Sequence, residues 1–129
     1  KARDLWQSPL LPPHLLVQAL LAGSATLILL NPVELGVGAI WILQASLAVH
    51  LILALGEVSM PHPTAHAALA ARNMTKGAYA AFYWAGIVLT ASALLLMSTN
   101  VTIGALAGLA GLFLHEHAYV QAGQSVPLA

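Results

Sequence analysis

Four long apolar stretches follow one another along the chain, and each is bounded by polar or turn-forming residues. A helix rises about 1.5 Å per residue, so about 20 apolar residues cross a hydrocarbon core of about 30 Å. The pattern therefore predicts four membrane-spanning helices, over residues 12–30, 36–59, 78–98 and 101–120. A more hydrophilic connection, residues 60–77, separates the second helix from the third.

The composition agrees with a membrane location. Hydrophobic residues make up 60% of the chain and charged residues 6%, whereas soluble domains carry about 25% charged residues. The formal net charge is zero, which gives no reason to expect a nucleic-acid partner. The chain has no Cys, so it holds no disulfide or thiolate-bound iron–sulfur cluster of its own. We predict an all-α integral membrane protein, with residues 1–129 forming a single antiparallel four-helix bundle that contacts lipid.

The basic residues predict the orientation of the bundle. Lys1, Arg3, Arg72 and Lys76 all fall on one side of the predicted topology. Cytoplasmic segments of membrane proteins are enriched in Lys and Arg. We therefore expect the loop with Arg72 and Lys76, together with the C-terminus, to be cytoplasmic.

The second predicted helix carries a polar stripe. His50 follows Ser46 by one helical turn, and Glu57 follows His50 by two, so the three side chains share a face. Ionisable groups inside a span are costly and generally serve a function. His50 and Glu57 are therefore candidates for a proton relay. The alternative is a His bonded to a neighbouring helix and a Glu that reaches the headgroups.

His115, Glu116 and His117 interrupt the fourth apolar stretch near its end. Successive residues point about 100° apart on a helix, so these three cannot all face one metal ion. We predict no metal site here and no catalytic residue in the chain. The three residues are further candidates for a proton path, or they form an interfacial polar cap.

Polar residues in the first two helices could contact a bound quinone. His14 and Gln18 lie one turn apart, and Gln44 lies within the second apolar run. Such groups bond a quinone carbonyl in an apolar slot, or alternatively join two helices. A b-type haem needs opposed His residues at membrane depth, and only His50 is clearly deep, so no haem is predicted.

Several segments resemble the NrfD/PsrC family of quinone-interacting membrane subunits. They are SPLLPP at 8–13, VQALLAG at 17–23, PHPT at 61–64, MTKGAY at 74–79 and VQAGQSVPL at 120–128. Members of this family usually have eight or more spans in two four-helix bundles. The resemblance implies that this chain corresponds to the C-terminal bundle, half of a larger subunit.

The resemblance also implies a function. Such subunits anchor iron–sulfur and molybdopterin or cytochrome partners, as in polysulfide and nitrite reductases and alternative complex III. They exchange electrons with quinone and bind no haem or metal themselves, so those cofactors are expected only in partner subunits. We expect a non-catalytic or quinone-interacting subunit of an oxidoreductase complex in the bacterial inner membrane. It would support quinone chemistry and proton conduction, although the family's quinone pocket lies largely in the other bundle.

Two other functions fit the same pattern. A structural or assembly anchor would need only the packing of the helices, with no redox or proton role. A transporter fragment would show a helix broken near the middle of the membrane, whereas the helix breakers in this chain lie mainly at the ends of the predicted spans.

Overall fold

The computed structural model describes residues 4–30 and 36–127. Over these residues the chain forms a 3-10 turn at Asp4–Gln7 and five α-helices, with no strand. The helices are α1 at Leu11–Leu30, α2 at Gly36–Ser59, α3 at Ala65–Thr75, α4 at Ala80–Leu96 and α5 at Val101–Gln124. The predicted all-α class is confirmed. The basic residues Lys1 and Arg3 lie outside the described residues.

Three helices, α1, α2 and α5, are long and apolar enough to cross a membrane. Helix α4 has 17 residues, a length of about 25 Å against a hydrocarbon core of about 30 Å. Helices α3 and α4 form a pair bent by 68°, and counting this pair as one broken span gives up to four spans. The membrane character of the chain is therefore confirmed. The complete antiparallel four-helix bundle stays a prediction.

The outward side chains of the long helices are apolar. Leu16, Trp41, Ile52 and Phe113 are each more than three-fifths exposed, at 64%, 66%, 69% and 69%. Apolar surface of this extent is unusual on a soluble monomer. It suits a lipid surrounding, where helices satisfy their own backbone hydrogen bonds.

The helix bounds follow the sequence pattern closely, with differences at the ends. Helix α2 has the predicted bounds, and α5 continues four residues beyond 120. The hydrophilic connection contains α3, whose first turn is capped by Thr64, with its hydroxyl accepting from the amide of Ala67 at 3.1 Å. A side-chain cap of this kind satisfies an amide that has no partner within the helix.

Glycines bring α4 and α5 into backbone contact. A Cβ added to Gly111 would lie 2.9 Å from the Thr90 amide nitrogen, and one added to Gly104 would lie 2.8 Å from the Met97 sulfur. Gly104, near the start of α5, lies against Met97 at the end of α4, and Gly111, further along α5, lies against Thr90 within α4. The two helices therefore run antiparallel. Small residues permit this close approach. Gly23, by contrast, has open space where a Cβ would stand.

The buried core has two parts that lie toward opposite ends of the helices. One is wholly apolar and comprises Leu21, Ala25, Ile28, Leu43, Leu47, Ala93, Met97, Ala105 and Leu112. The other includes Leu5, Ala54, Met74, Tyr83, Ala118 and Tyr119, and draws on the 3-10 turn and α3. The polar groups described below lie toward the second part, near α3.

Candidate functional site

Three histidines from three helices meet inside the protein. His14 lies in the first turn of α1, His50 in α2 and His115 in α5. Their exposed fractions are 1%, 0% and 1%. The ring centroids of His14 and His50 are 4.9 Å apart, those of His14 and His115 5.4 Å, and those of His50 and His115 4.8 Å. We call these three residues the histidine cluster.

A carboxylate extends the cluster toward α3. Nδ1 of His14 lies 3.1 Å from Oε1 of Glu57, and Nε2 of His14 lies 2.8 Å from Nδ1 of His50. The Glu57 side chain is 7% exposed. Both nitrogens of His14 are therefore engaged, and His14 connects Glu57 with His50. The predicted inward face of α2 is confirmed, because Ser46 and His50 are both buried.

The hydrogen bonds determine the tautomers when Glu57 is ionised. A carboxylate only accepts, so Nδ1 of His14 must donate to Glu57. A neutral His14 then accepts at Nε2, and Nδ1 of His50 is the donor. This leaves Nε2 of His50 as a buried acceptor, and it has no hydrogen-bond partner among the described residues. The series thus ends on an open ring nitrogen that can take up a proton.

Two tyrosines pack around His115. The Tyr119 ring stacks on that of His115 with centroids 6.2 Å apart, and the Tyr83 ring lies 5.8 Å away. The hydroxyl of Tyr83 donates to the carbonyl of Ala54 at 2.9 Å, and that of Tyr119 donates to the carbonyl of Leu5 at 3.2 Å. Because both hydroxyls donate to backbone carbonyls, the tyrosines position His115 and lie outside the hydrogen-bonded series.

Gln18 and Glu116 form a second polar contact between α1 and α5. The amide nitrogen of Gln18 donates to Oε1 of Glu116. Gln18 is buried and lies one turn beyond His14. Its predicted role as a quinone contact stays untested, while its amide nitrogen is already bonded within the protein. In the structure, Gln18 instead forms a hydrogen bond between two helices, which is the alternative role predicted for it.

Two residues proposed from the sequence lie apart from the cluster. The ring of His117 packs against Phe82, with centroids 4.6 Å apart, and Phe82 is 41% exposed. Gln44 is half-buried, six residues before His50. Of the five proton-path candidates, the structure brings together His50, Glu57 and His115, and places Glu116 beside them through Gln18.

A cavity of about 450 Å³ adjoins Glu57. Its walls come from the 3-10 turn, the end of α2, residues 60–63, α3 and Tyr119, and they are mostly apolar. Its other ionisable lining residues are Asp4, His62 and Tyr119. Glu57 therefore lies between the histidine cluster on one side and this cavity on the other.

Comparison with protein-family models, curated proteins and solved structures found no match to this chain. The resemblance to the NrfD/PsrC family accordingly stays a prediction. The geometry of the site bears on proton transfer, whereas a quinone complex, its partner subunits and its location follow only from the resemblance.

Proposed function

We propose that this chain is a membrane bundle of a quinone oxidoreductase complex and that Glu57 and the histidine cluster carry protons within it. The observation that supports the relay is the buried series from Glu57 through His14 to His50, with contacts of 3.1 and 2.8 Å. An imidazole ring has two nitrogens, so it can take a proton at one of them while it gives a proton from the other. A continuous series of such groups is the arrangement that proton transfer requires.

The proposed transfer uses the two nitrogens of each ring. A proton arrives at Nε2 of His50, and Nδ1 of His50 passes its own proton to Nε2 of His14. Nδ1 of His14 then passes its proton to Glu57, which faces the cavity. One proton enters and one reaches the carboxylate, so the charge balances, and reorientation of the rings restores the starting tautomers. The reverse sequence moves a proton inward.

We expect protons to enter or leave the relay at one end of the helices, the end near α3. His50 and His115 each lie nine residues before the ends of their helices at Ser59 and Gln124, a depth of about 14 Å at 1.5 Å per residue. Toward the opposite end, the core around Leu21, Leu43 and Ala105 is apolar. The described residues 19–30, 36–49 and 85–114 contain no ionisable side chain. This arrangement favours proton supply or removal at one side over conduction through the whole bundle.

The resemblance supplies the wider context of the proposal. Quinone reduction consumes protons and quinol oxidation releases them, so a quinone-interacting complex needs a path of this kind. The proposed partners are iron–sulfur, molybdopterin or cytochrome subunits, and the proposed location is the bacterial inner membrane. Arg72 and Lys76 are exposed near the end of α3, which favours a cytoplasmic position for the α3 side.

A structural anchor is the second candidate function, and the same contacts give it some support. The bonds from His14 to His50 and from Gln18 to Glu116 also join helices. Hydrogen bonds between membrane helices average about 0.6 kcal/mol. An anchor does not, however, require three imidazoles and two carboxylates inside one bundle, because ionisable groups are costly there.

The relay is tested by Glu57→Gln in the assembled parent complex. Positioned proton donors and acceptors typically contribute about 10²–10⁴-fold to a rate. We expect quinone-dependent turnover to fall about 10-fold or more, with the complex still assembled, because Gln keeps the shape of Glu but cannot exchange a proton. His117→Gln is the matched control, since His117 packs against Phe82 outside the cluster. Unchanged turnover in Glu57→Gln and in His50→Leu would overturn the relay and favour the anchor.

A further inference from the structure

The histidine cluster has the composition of a transition-metal site, and its ring nitrogens lie near one another. Each ring offers one nitrogen, and the three candidate ligand atoms lie within 4.8 Å of one another. We propose that His14, His50 and His115 bind a divalent transition-metal ion, with Zn²⁺ as the representative ion. Neutral imidazole nitrogens are common ligands of zinc, copper, nickel and cobalt.

The distances require only small movements of the side chains. Zn–N bonds are about 2.0–2.1 Å long, which places the nitrogens of a tetrahedral site about 3.3 Å apart. The candidate atoms are at most 4.8 Å apart, so a shift of about 1.5 Å closes the largest gap. We expect rotation of the imidazoles about their side-chain torsions to cover this distance without movement of the helices.

Glu57 occupies the position of an outer-sphere partner. Ligating histidines usually donate their other N–H to a carboxylate or carbonyl, which holds the ring and raises the basicity of the ligand. Nδ1 of His14 makes this contact with Oε1 of Glu57 at 3.1 Å. The ion would therefore take Nε2 of His14, which otherwise contacts Nδ1 of His50 at 2.8 Å. The carboxylate also compensates part of the ion's charge in a buried setting.

The open ring nitrogens are an independent sign of a ligand. Nε2 of His50 and Nδ1 of His115 are buried and have no hydrogen-bond partner in the described part of the chain. Both rings are at least 99% buried, with exposed fractions of 0% and 1%. Leaving a buried polar atom without a partner costs about 1–3 kcal/mol. An ion bound by the cluster would provide these two nitrogens with a partner that the described residues do not.

The metal and the relay protons use the same nitrogens. Ligation would replace the hydrogen bond between Nε2 of His14 and Nδ1 of His50. A bound ion is therefore expected to block proton transfer, a consequence that rests on the proposed function. Metal binding itself does not rest on that function, because it depends only on the positions of the three rings.

Binding is tested on the untagged full chain in detergent micelles, with Co²⁺ as the spectroscopic probe and Zn²⁺ as the competitor. We expect one Co²⁺ per chain, with an absorption spectrum typical of nitrogen ligation, and its displacement by one equivalent of Zn²⁺. His115→Gln and His50→Gln should each abolish this stoichiometric binding. Glu57→Gln should weaken it about 10- to 100-fold, as losses of outer-sphere partners do.

His117→Gln is the matched control, because it removes a histidine from α5 outside the cluster. This variant should bind Co²⁺ like the wild type. Circular dichroism and gel filtration establish that each variant keeps its fold, and the two cluster variants provide independent tests. Absence of Co²⁺ binding in the wild type, or equal binding in folded His115→Gln and His50→Gln, would overturn the metal site. Neither result depends on turnover, so failure of the metal site is distinguishable from failure of the relay.

Discussion

Gly86→Ala tests whether the contact between α4 and α5 places His115 in the cluster. A Cβ at position 86 would lie 2.9 Å from the carbonyl oxygen of Gly111 and 2.9 Å from the amide nitrogen of His115. Ordinary contacts begin at 3.4 Å, so the two helices must separate by about 0.5 Å. The obstructing atoms belong to the backbone, and no side-chain rotation relieves the clash.

The expected loss of stability follows from two opposing terms. Overpacking a closely packed site typically costs about 1–3 kcal/mol. Replacing Gly by Ala within a helix raises the free energy of unfolding by up to about 1 kcal/mol, because the unfolded chain has a lower entropy. We therefore expect a net destabilisation of about 1–2 kcal/mol. The separation of the helices should also move His115 and so weaken its contacts with the rings of His14 and His50.

Reversible unfolding in mixed detergent micelles, followed by circular dichroism, measures the free energy of unfolding. Gly23→Ala is the matched control, because Gly23 also lies within a long apolar helix but has open space around its Cβ position. The control should be neutral or slightly stabilising. A Gly86→Ala variant as stable as Gly23→Ala would refute the close contact between α4 and α5, and with it the placement of His115.

Two further substitutions separate neighbouring roles. Thr64→Ala removes the cap on Ala67 and the 2.7 Å hydrogen bond to Asp4, so α3 should lose about 1 kcal/mol; unchanged amide hydrogen exchange in its first turn would contradict this. Tyr83→Phe removes the side-chain hydrogen bond to the Ala54 carbonyl and should lower the free energy of unfolding by about 1 kcal/mol, with turnover retained. A loss of turnover as large as that of Glu57→Gln would instead place the tyrosine hydroxyl in the relay.

The helices themselves are well predicted from the sequence, because apolar runs and their breakers directly determine where a membrane helix can form. The spacing of small residues is a weaker guide to packing. Gly104, Gly108 and Gly111 on α5 would each clash with or crowd a neighbour if given a Cβ, whereas Ala19 and Gly23, four residues apart on α1, do not pack in this way. Both are exposed on the outer face of α1. Spacing along one helix cannot tell which face a partner helix covers.

The site is predicted only in part for a related reason. Spacing within α2 correctly places Ser46, His50 and Glu57 on one face, since that inference needs a single helix. Spacing within one helix relates His14 only to Gln18 on α1, and His115 only to its neighbours on α5. Their meeting depends on how three helices are rotated and shifted against one another. The alternation of helix direction does predict that these residues lie toward one side.

The uneven distribution of polar groups is the strongest physical reason to regard this side as functional. An apolar core suffices to hold α1, α2, α4 and α5 together at the opposite end, where Leu21, Leu43 and Ala105 are fully buried. Packing alone therefore does not call for imidazoles in this bundle. The cluster nevertheless buries three of them beside Glu57 and leaves two ring nitrogens without a hydrogen-bond partner within residues 4–30 and 36–127. This cost is consistent with the proposed binding of a proton or an ion, and the cavity next to Glu57 would connect either to the end of the helices near α3.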